Sequence, residues 1–189
     1  MSSFLQRDKI EIVFVDWFGV LSTNYYWCVQ SKRSSELKAW CDLVFDDEVV
    51  MKEWMRGDQS IQSLAQLGPR LGVDSIVSSF LNDMEYYAPD EVLMKAINDL
   101  FPGAQKMLVT DNFELFEQIR KEYPILDRYF SRTYVSYATR RLKGDKPPSM
   151  FDIILTDLGR VNFKRCVLVD DSPINCGEFQ RRGGHTPPR

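Results

Sequence analysis

Hydrophobic positions along the chain change period twice. The stretch Ile10–Val15 is rich in β-branched and aromatic residues and runs into Asp16. Its pattern predicts a buried strand that delivers a carboxylate to its carboxyl end, with a tight turn at Gly19. Ser22–Lys32 is polar and aromatic and reads as a loop leaving the sheet edge. From Ser34 the period becomes helical. Leu37, Trp40, Cys41, Val44 and Phe45 share a face behind a cap at Ser34 or Ser35. Val49–Met55 predicts a second helix ending before Gly57, and Ile61–Leu71 a third, capped by Asp58 or Ser60. A fourth spans Val73–Tyr87, and Pro89 opens a fifth that runs to Leu100.

The strand pattern returns at Lys106–Thr110. Asp111 or Asn112 then caps a helix through Leu115, Phe116, Ile119 and Tyr123, which Pro124 stops. Arg132–Ser136 is a short strand, 144–148 a loop, and Met150–Leu158 a helix. Cys166–Asp171 is the fourth strand, and Ser172-Pro173 starts a last helix that Gly183-Gly184 ends. Strands that alternate with helices imply an α/β fold with a doubly wound parallel sheet. About eighty helical residues between the first two strands exceed a simple crossover, so they predict an inserted helical cap. The expected division is a core of residues 1–21 and 106–189, with 22–105 as a small all-helical cap and its linkers.

The chain has 189 residues, enough for one domain with a modest insertion, and 44% are hydrophobic. A net charge of −3 gives no electrostatic case for nucleic acid. No apolar run has the length of a membrane span, and residues 1–9 lack a signal-peptide profile. The four cysteines are far apart, as expected for reduced thiols in a cytoplasmic protein, and a single histidine argues against a Cys/His metal site.

All parallel strands present their carboxyl ends on one edge, so Asp16, Thr110, Asp170 and Asp171 are expected to meet there. Three close carboxylates repel one another and want a cation; oxygen ligands alone suit Mg²⁺, which also takes substrate phosphate. Thr110 adds a hydroxyl and Lys146 a positive charge. Such a set can hold a phosphoryl group while an aspartate attacks phosphorus.

Four segments in order resemble the motifs of the haloacid dehalogenase (HAD) superfamily: Asp16-Trp17-Phe18-Gly19-Val20-Leu21, Leu108-Val109-Thr110-Asp111-Asn112, Lys146-Pro147 with Phe151 following, and Leu168-Val169-Asp170-Asp171-Ser172 with Asn175 downstream. The resemblance covers nearly the whole chain and is to the subgroup with a cap after motif one. It implies a HAD-like, Rossmannoid core and a Mg²⁺-dependent phosphatase of a small phosphorylated metabolite. It implies Asp16 as nucleophile and metal ligand, and the Phe18 carbonyl and Asp171 as further ligands, with Asp170 acting through water. Thr110, Asp111 and Lys146 would contact substrate, and Thr110 and Lys146 would assist the chemistry. Lys143 is the weaker alternative to Lys146.

Phe18 departs from the pattern, since most phosphatases of the superfamily carry an acid/base aspartate there. Some of its sugar-phosphate phosphatases also lack it, so hydrolysis stays open beside a HAD-like binding or regulatory protein. Dehalogenases of the superfamily also place an aromatic there, but Asp170-Asp171 argues against that reading. Relatives also continue into another strand where this chain ends, so the sheet is either one strand short or covered by a partner. A monomer or homodimer is expected, with no membrane or nucleic-acid partner. Tyr25-Tyr26-Trp27 either lines the cap–core cleft, stacks on a sugar or base, or packs the hinge, Trp40 and Trp54 read as cap core, and His185 as a turn or surface residue.

Overall fold

The computed structural model describes residues 9–68, 71–159 and 161–187. Residues 1–8, most of the segment read above for a signal peptide, lie outside the described residues, as do Pro188 and Arg189 at the far end.

The first strand, β1 (Ile12–Val15), is buried at every position. Among the described residues six α-helices follow before the chain returns to the sheet: α1 (Gln30–Arg33), α2 (Ser35–Phe45), α3 (Glu48–Met55), α4 (Ile61–Leu64), α5 (Val73–Asn82) and α6 (Glu91–Leu100). Then come β2 (Gln105–Thr110), α7 (Phe116–Glu122), α8 (Ile125–Tyr129), β3 (Arg132–Val135), α9 (Ser136–Thr139), α10 (Met150–Asp157), β4 (Cys166–Val169) and α11 (Pro173–Arg181). The four strands are parallel in the order β3-β2-β1-β4. The chain leaves β1 toward β2 on one side, and β4 lies on the other. The crevice between β1 and β4 is therefore the topological switch point, where open α/β sheets bind ligands.

Alternation along the strands sorts two cores, because successive side chains point to opposite faces. Ile12, Phe14, Met107, Val109 and Leu168 pack on one face with Met150, Phe151, Ile154 and Phe179 of α10 and α11. Val13, Val15, Leu108 and Val167 pack on the other, in one cluster with Trp27, Trp40, Trp54 and Phe80 of the insertion. Trp54 stacks on Phe113, just past β2, at 3.9 Å between ring centroids and 7° between planes. Trp40 and Trp54, expected as cap core, thus share one cluster with this face of the sheet.

Local chemistry explains where the elements differ from expectation. Ser34 caps α2 through Leu37 N–H, as expected. A short helix, α1, interrupts the loop expected over Ser22–Lys32. The third inserted helix stops at Leu64, ahead of a turn with Gly68 at φ +86°. The fourth breaks at Asp83, whose carboxylate accepts N–H bonds from Val29 (2.8 Å) and Gln30 (3.1 Å); a 3₁₀ turn, Met84–Tyr87, follows. Asp90, not Pro89, starts α6 by accepting from Leu93 N–H at 2.8 Å. Neither Asp111 nor Asn112 caps α7, because both side chains are engaged elsewhere. Pro124 ends α7, yet α8 begins at once, and α9 follows β3; neither short helix was expected.

Two crossings of the chain between sheet and insertion are tied by the Asp90 N–H to Leu21 carbonyl bond, 2.8 Å. Tyr129 of α8 donates to the Met94 carbonyl, so α6 packs beside the sheet's own helices. At the other edge, His185 exchanges backbone bonds with β4: its N–H donates to Cys166 (3.0 Å) and its carbonyl accepts from Leu168 (2.9 Å). The edge expected to be bare or covered by a partner is thus partly covered by the chain's own tail, which also gives His185 a role in pairing.

Candidate active site

Each acidic side chain at the switch point is set by the end of a strand. Asp16 follows β1, and its N–H donates to the Val169 carbonyl of β4 at 2.9 Å, which holds the two strand ends together. The chain then turns, with Leu21 and Ser22 N–H donating to the Trp17 carbonyl and Gly19 N–H to that of Ser22 (2.8 Å). Gly19 has φ +78°, and a Cβ there would lie 2.3 Å from Asp171 Oδ2. A side chain would therefore deny Asp171 its place over the turn.

Carboxylate oxygens of Asp16, Asp170 and Asp171 all lie within 4.8 Å of one another. Asp170 is fully engaged. It accepts from Lys143 Nζ (2.6 Å), Ser172 N–H (2.8 Å) and Asn175 Nδ2 (3.2 Å to Oδ2). Ser172 caps α11 through Asn175 N–H, so Asp170 is not the helix's cap. Asp171 is solvent-exposed at the cleft. All-oxygen donors at this spacing fit a small hard divalent cation such as Mg²⁺.

Lys143 corrects one expectation. Its Nζ lies 2.8 Å from Asp16 Oδ2 and 2.6 Å from Asp170 Oδ2, with its side chain wholly buried. Lys146 is exposed and joins no ion pair among the described residues. The lysine at the carboxylates is Lys143, because the loop is pinned on both sides of it. Lys143 N–H donates to Asp111 Oδ1 at 2.9 Å. Leu142 N–H donates to Asp145 Oδ2 at 2.9 Å, and Arg56, just after α3, forms a two-pronged ion pair with Asp145. Asp111 thus shapes the lysine loop. Leu142, an apolar residue in an otherwise polar stretch, was the available sequence signal, and the structure buries it.

Burial pushes Asp16 up to about 7, with Asp170 and Asp111 adding to the rise and Lys143 opposing it. Burial likewise raises Asp111. For Lys143 burial favours the neutral amine, but Asp16, Asp111 and Asp170 outweigh it and hold the ammonium well above the usual lysine range. The cluster thus carries more carboxylate than its one buried cation neutralises. Thr110 Oγ1 is buried with no hydrogen-bond partner, an orphan that a bound oxygen would satisfy.

The aromatic triplet divides. Trp27 packs inside the insertion: it is fully buried, at φ +55°, and donates its N–H to Tyr87 Oη (2.7 Å) and its indole N–H to the Ile76 carbonyl (2.9 Å). Tyr25 is exposed and packs on Phe18, 5.4 Å between rings. Tyr26 lies between. Phe113 N–H donates to Asn112 Oδ1 (3.1 Å), which turns Asn112 Nδ2 onto Tyr26 Oη at 2.7 Å. The phenol oxygen therefore accepts this bond, and burial raises Tyr26, keeping it protonated. Tyr26 lines the cleft, one of the places expected for the triplet. Its bond to Asn112, and the part of Arg56 in the lysine loop, were not foreseen, since partners distant in sequence give these residues their roles.

These groups floor a cleft of about 770 Å³ between the insertion and the sheet edge, lined by Asp16, Phe18, Asp111 and Asp171 among others. No family model matches the chain, and no curated protein matches it in sequence. Solved structures do match in shape. A HAD family enzyme from Bacteroides thetaiotaomicron, in complex with magnesium and inorganic phosphate, superposes with a TM-score of 0.74 at 17% identity, covering 94% of this chain and 93% of that one. The chain has the haloacid dehalogenase fold. A predicted HAD-like family hydrolase from Porphyromonas gingivalis superposes equally well, with a TM-score of 0.74, 18% identity and 95% and 90% of the two chains covered. L-2-haloacid dehalogenase from Xanthobacter autotrophicus, with chloropropionic acid covalently bound, gives 0.66 at 14% identity, over 94% of this chain and 76% of that one. The likeness spans the four-stranded parallel sheet and its flanking helices. No described helix is long and apolar enough to cross a membrane.

Proposed function

We propose that the protein is a Mg²⁺-dependent phosphatase that hydrolyses a small phosphorylated metabolite through an aspartyl-phosphate on Asp16. The observation that carries this reading is the meeting of Asp16, Asp170 and Asp171 with the buried Lys143, drawn from three distant segments of the chain. A carboxylate cluster of this density at a switch point suits a divalent cation and a phosphate more than it suits a neutral substrate.

Asp16, the Phe18 carbonyl and Asp171 would hold Mg²⁺, with Asp170 placed behind them by Lys143 and Asn175. When bound, Mg²⁺ supplies charge neutralisation of the phosphoryl oxygens. In the first step an Asp16 carboxylate oxygen attacks phosphorus, the phosphorus–oxygen bond to the leaving group breaks, and the leaving oxygen takes a proton from solvent. Lys143 holds the phosphoryl group by charge and Thr110 Oγ1 by a hydrogen bond. In the second step water attacks the acyl phosphate, releasing inorganic phosphate and restoring Asp16. Residues 22–105 supply the cap with its linkers, which shields these steps from bulk water.

A catalytically weak HAD-like binding protein is the second reading, and Phe18 favours it, because a phenyl ring moves no proton. Loss of an acid/base group costs roughly two to four powers of ten in rate. Phosphate release from a panel of phosphorylated metabolites, assayed with and without Mg²⁺, decides between the two. Mg²⁺-dependent release that vanishes in Asp16→Asn supports the phosphatase. Ligand binding without release by the wild type or by Phe18→Asp sinks it.

A further inference from the structure

Phe18 is better understood by what it touches than by what it lacks. Its ring packs 5.4 Å from that of Tyr25 and 6.2 Å from that of Tyr26, and it forms part of the cleft wall beside Asp16. Phe45, Met51 and Met55 continue this apolar wall and are partly buried. Phe45 is held in place by Trp27 and Trp54, at 6.0 and 6.1 Å. The charged groups on the insertion's side of the cleft, Lys32, Asp42 and Asp46, are solvent-exposed. A sugar would need a buried set of donors and acceptors to replace its hydration, since unpaired polar groups are costly to bury. Of the less exposed lining groups other than the carboxylates, Tyr26 and Ser31 carry hydroxyls, the amides of Asn112 and Asn175 are already engaged, and most of the remaining wall is aromatic rings, thioethers and thiols. The volume of about 770 Å³ is that of a small-ligand site.

The missing acid points the same way. With no proton donor at position 18, expulsion of the leaving group depends on how well it bears negative charge. A phenol, with a pKa of about 10, leaves as its anion far more readily than an alcohol near water's value of about 16. Wall and leaving-group chemistry together favour an aryl leaving group. We infer that the substrate is a small aryl phosphate, with its phosphoryl group on Asp16 and its ring against Phe18 and Tyr25. The phosphorus–oxygen bond breaks to release a phenolate, which solvent protonates. This inference rests on the phosphatase reading for turnover but not for binding.

The test pairs phenyl phosphate with glucose 6-phosphate. Calorimetry with Asp16→Asn and Mg²⁺ should show phenyl phosphate binding about tenfold more tightly. Tyr25→Ala, at a position too exposed to threaten folding, should weaken phenyl phosphate about fivefold and leave inorganic phosphate unchanged. With wild-type protein, kcat/KM should favour phenyl phosphate by about a hundredfold or more, and Phe18→Asp should narrow that ratio by restoring a proton donor. Equal or reversed binding preference, no binding of either ester, or a Tyr25→Ala variant that binds phenyl phosphate normally, overturns the aryl assignment. Preferential binding of phenyl phosphate without release of phosphate by any variant overturns the phosphatase reading and leaves the ligand class standing.

Discussion

Lys143 Nζ donates to Asp170 Oδ2 at 2.6 Å, with both side chains wholly excluded from solvent. Breaking a buried pair by removing one partner costs about 3–5 kcal/mol, because the other charge is left uncompensated. Lys143→Met should therefore lower the metal-free unfolding free energy by about that much, measured in urea, and abolish phosphate release. Lys146→Met should change neither.

Gly19 and Asp171 are coupled by space. Gly19→Ala places a Cβ where Asp171 Oδ2 now lies, at a φ of +78° that costs an L residue about 1–2 kcal/mol. Mg²⁺ affinity, read by calorimetry, should fall about tenfold or more. Unchanged affinity would show that Asp171 is not a ligand.

Asp16 links pH to stability and to metal. Its folded pKa of about 7 lies above the usual 3.8, so the folded state keeps a proton that the unfolded chain has already released. In metal-free protein the contribution of Asp16 is complete below about pH 4 and is lost as pH rises to about 7. The unfolding free energy of wild type relative to Asp16→Asn should decline across that window in EDTA. Mg²⁺ reverses the sign, since it binds the ionised form. At a hundredfold excess over Kd it should add about 2.7 kcal/mol at pH 8, and that gain should fade as pH drops below 7.

The Arg56–Asp145 pair ties the end of α3 to the loop that carries Lys143. Both side chains are mostly buried, so a double-mutant cycle with Arg56→Ala and Asp145→Ala should give a coupling of about 1–3 kcal/mol. Hydrogen exchange of the Leu142 and Lys143 amides should quicken in Arg56→Ala. A cycle near zero would mean that the loop is held by Asp111 alone.

Tyr26→Phe keeps the ring contacts with Phe113 and Tyr87 but removes the acceptor of Asn112 Nδ2. An unpaired buried amide costs about 1–3 kcal/mol, visible as a lower Tm. If the phenol also donates to the substrate, kcat/KM falls by about tenfold beside that loss. Asn112→Ala should lower Tm without a comparable fall if Tyr26 alone meets the substrate.

Sequence patterning carried the sheet and the acidic edge. The β1, β2 and β4 runs are apolar because parallel strands are buried on both faces, and Asp16 and Asp170 sit where those runs end. Parallel pairing then brings these ends together whatever the loops between them do. Helices long enough to show a period, such as α2, α3 and α5, were also legible. Four- and five-residue helices such as α1, α8 and α9 were not, since one turn has no period to read.

The lysine was decided elsewhere. Lys143 and Lys146 share a loop of similar composition, and neither periodicity nor capping separates them. Asp111 grips the backbone of one, while Asp145, held by Arg56, fixes the turn after it, so Lys143 points inward and Lys146 to solvent. Those partners lie 32 and 89 residues apart in sequence. Tyr26 and the tail at His185 follow the same rule. Local pattern determined which residues stand at the ends of strands; only long-range packing decided which loop side chains reach them, because a loop takes its conformation from what it packs against.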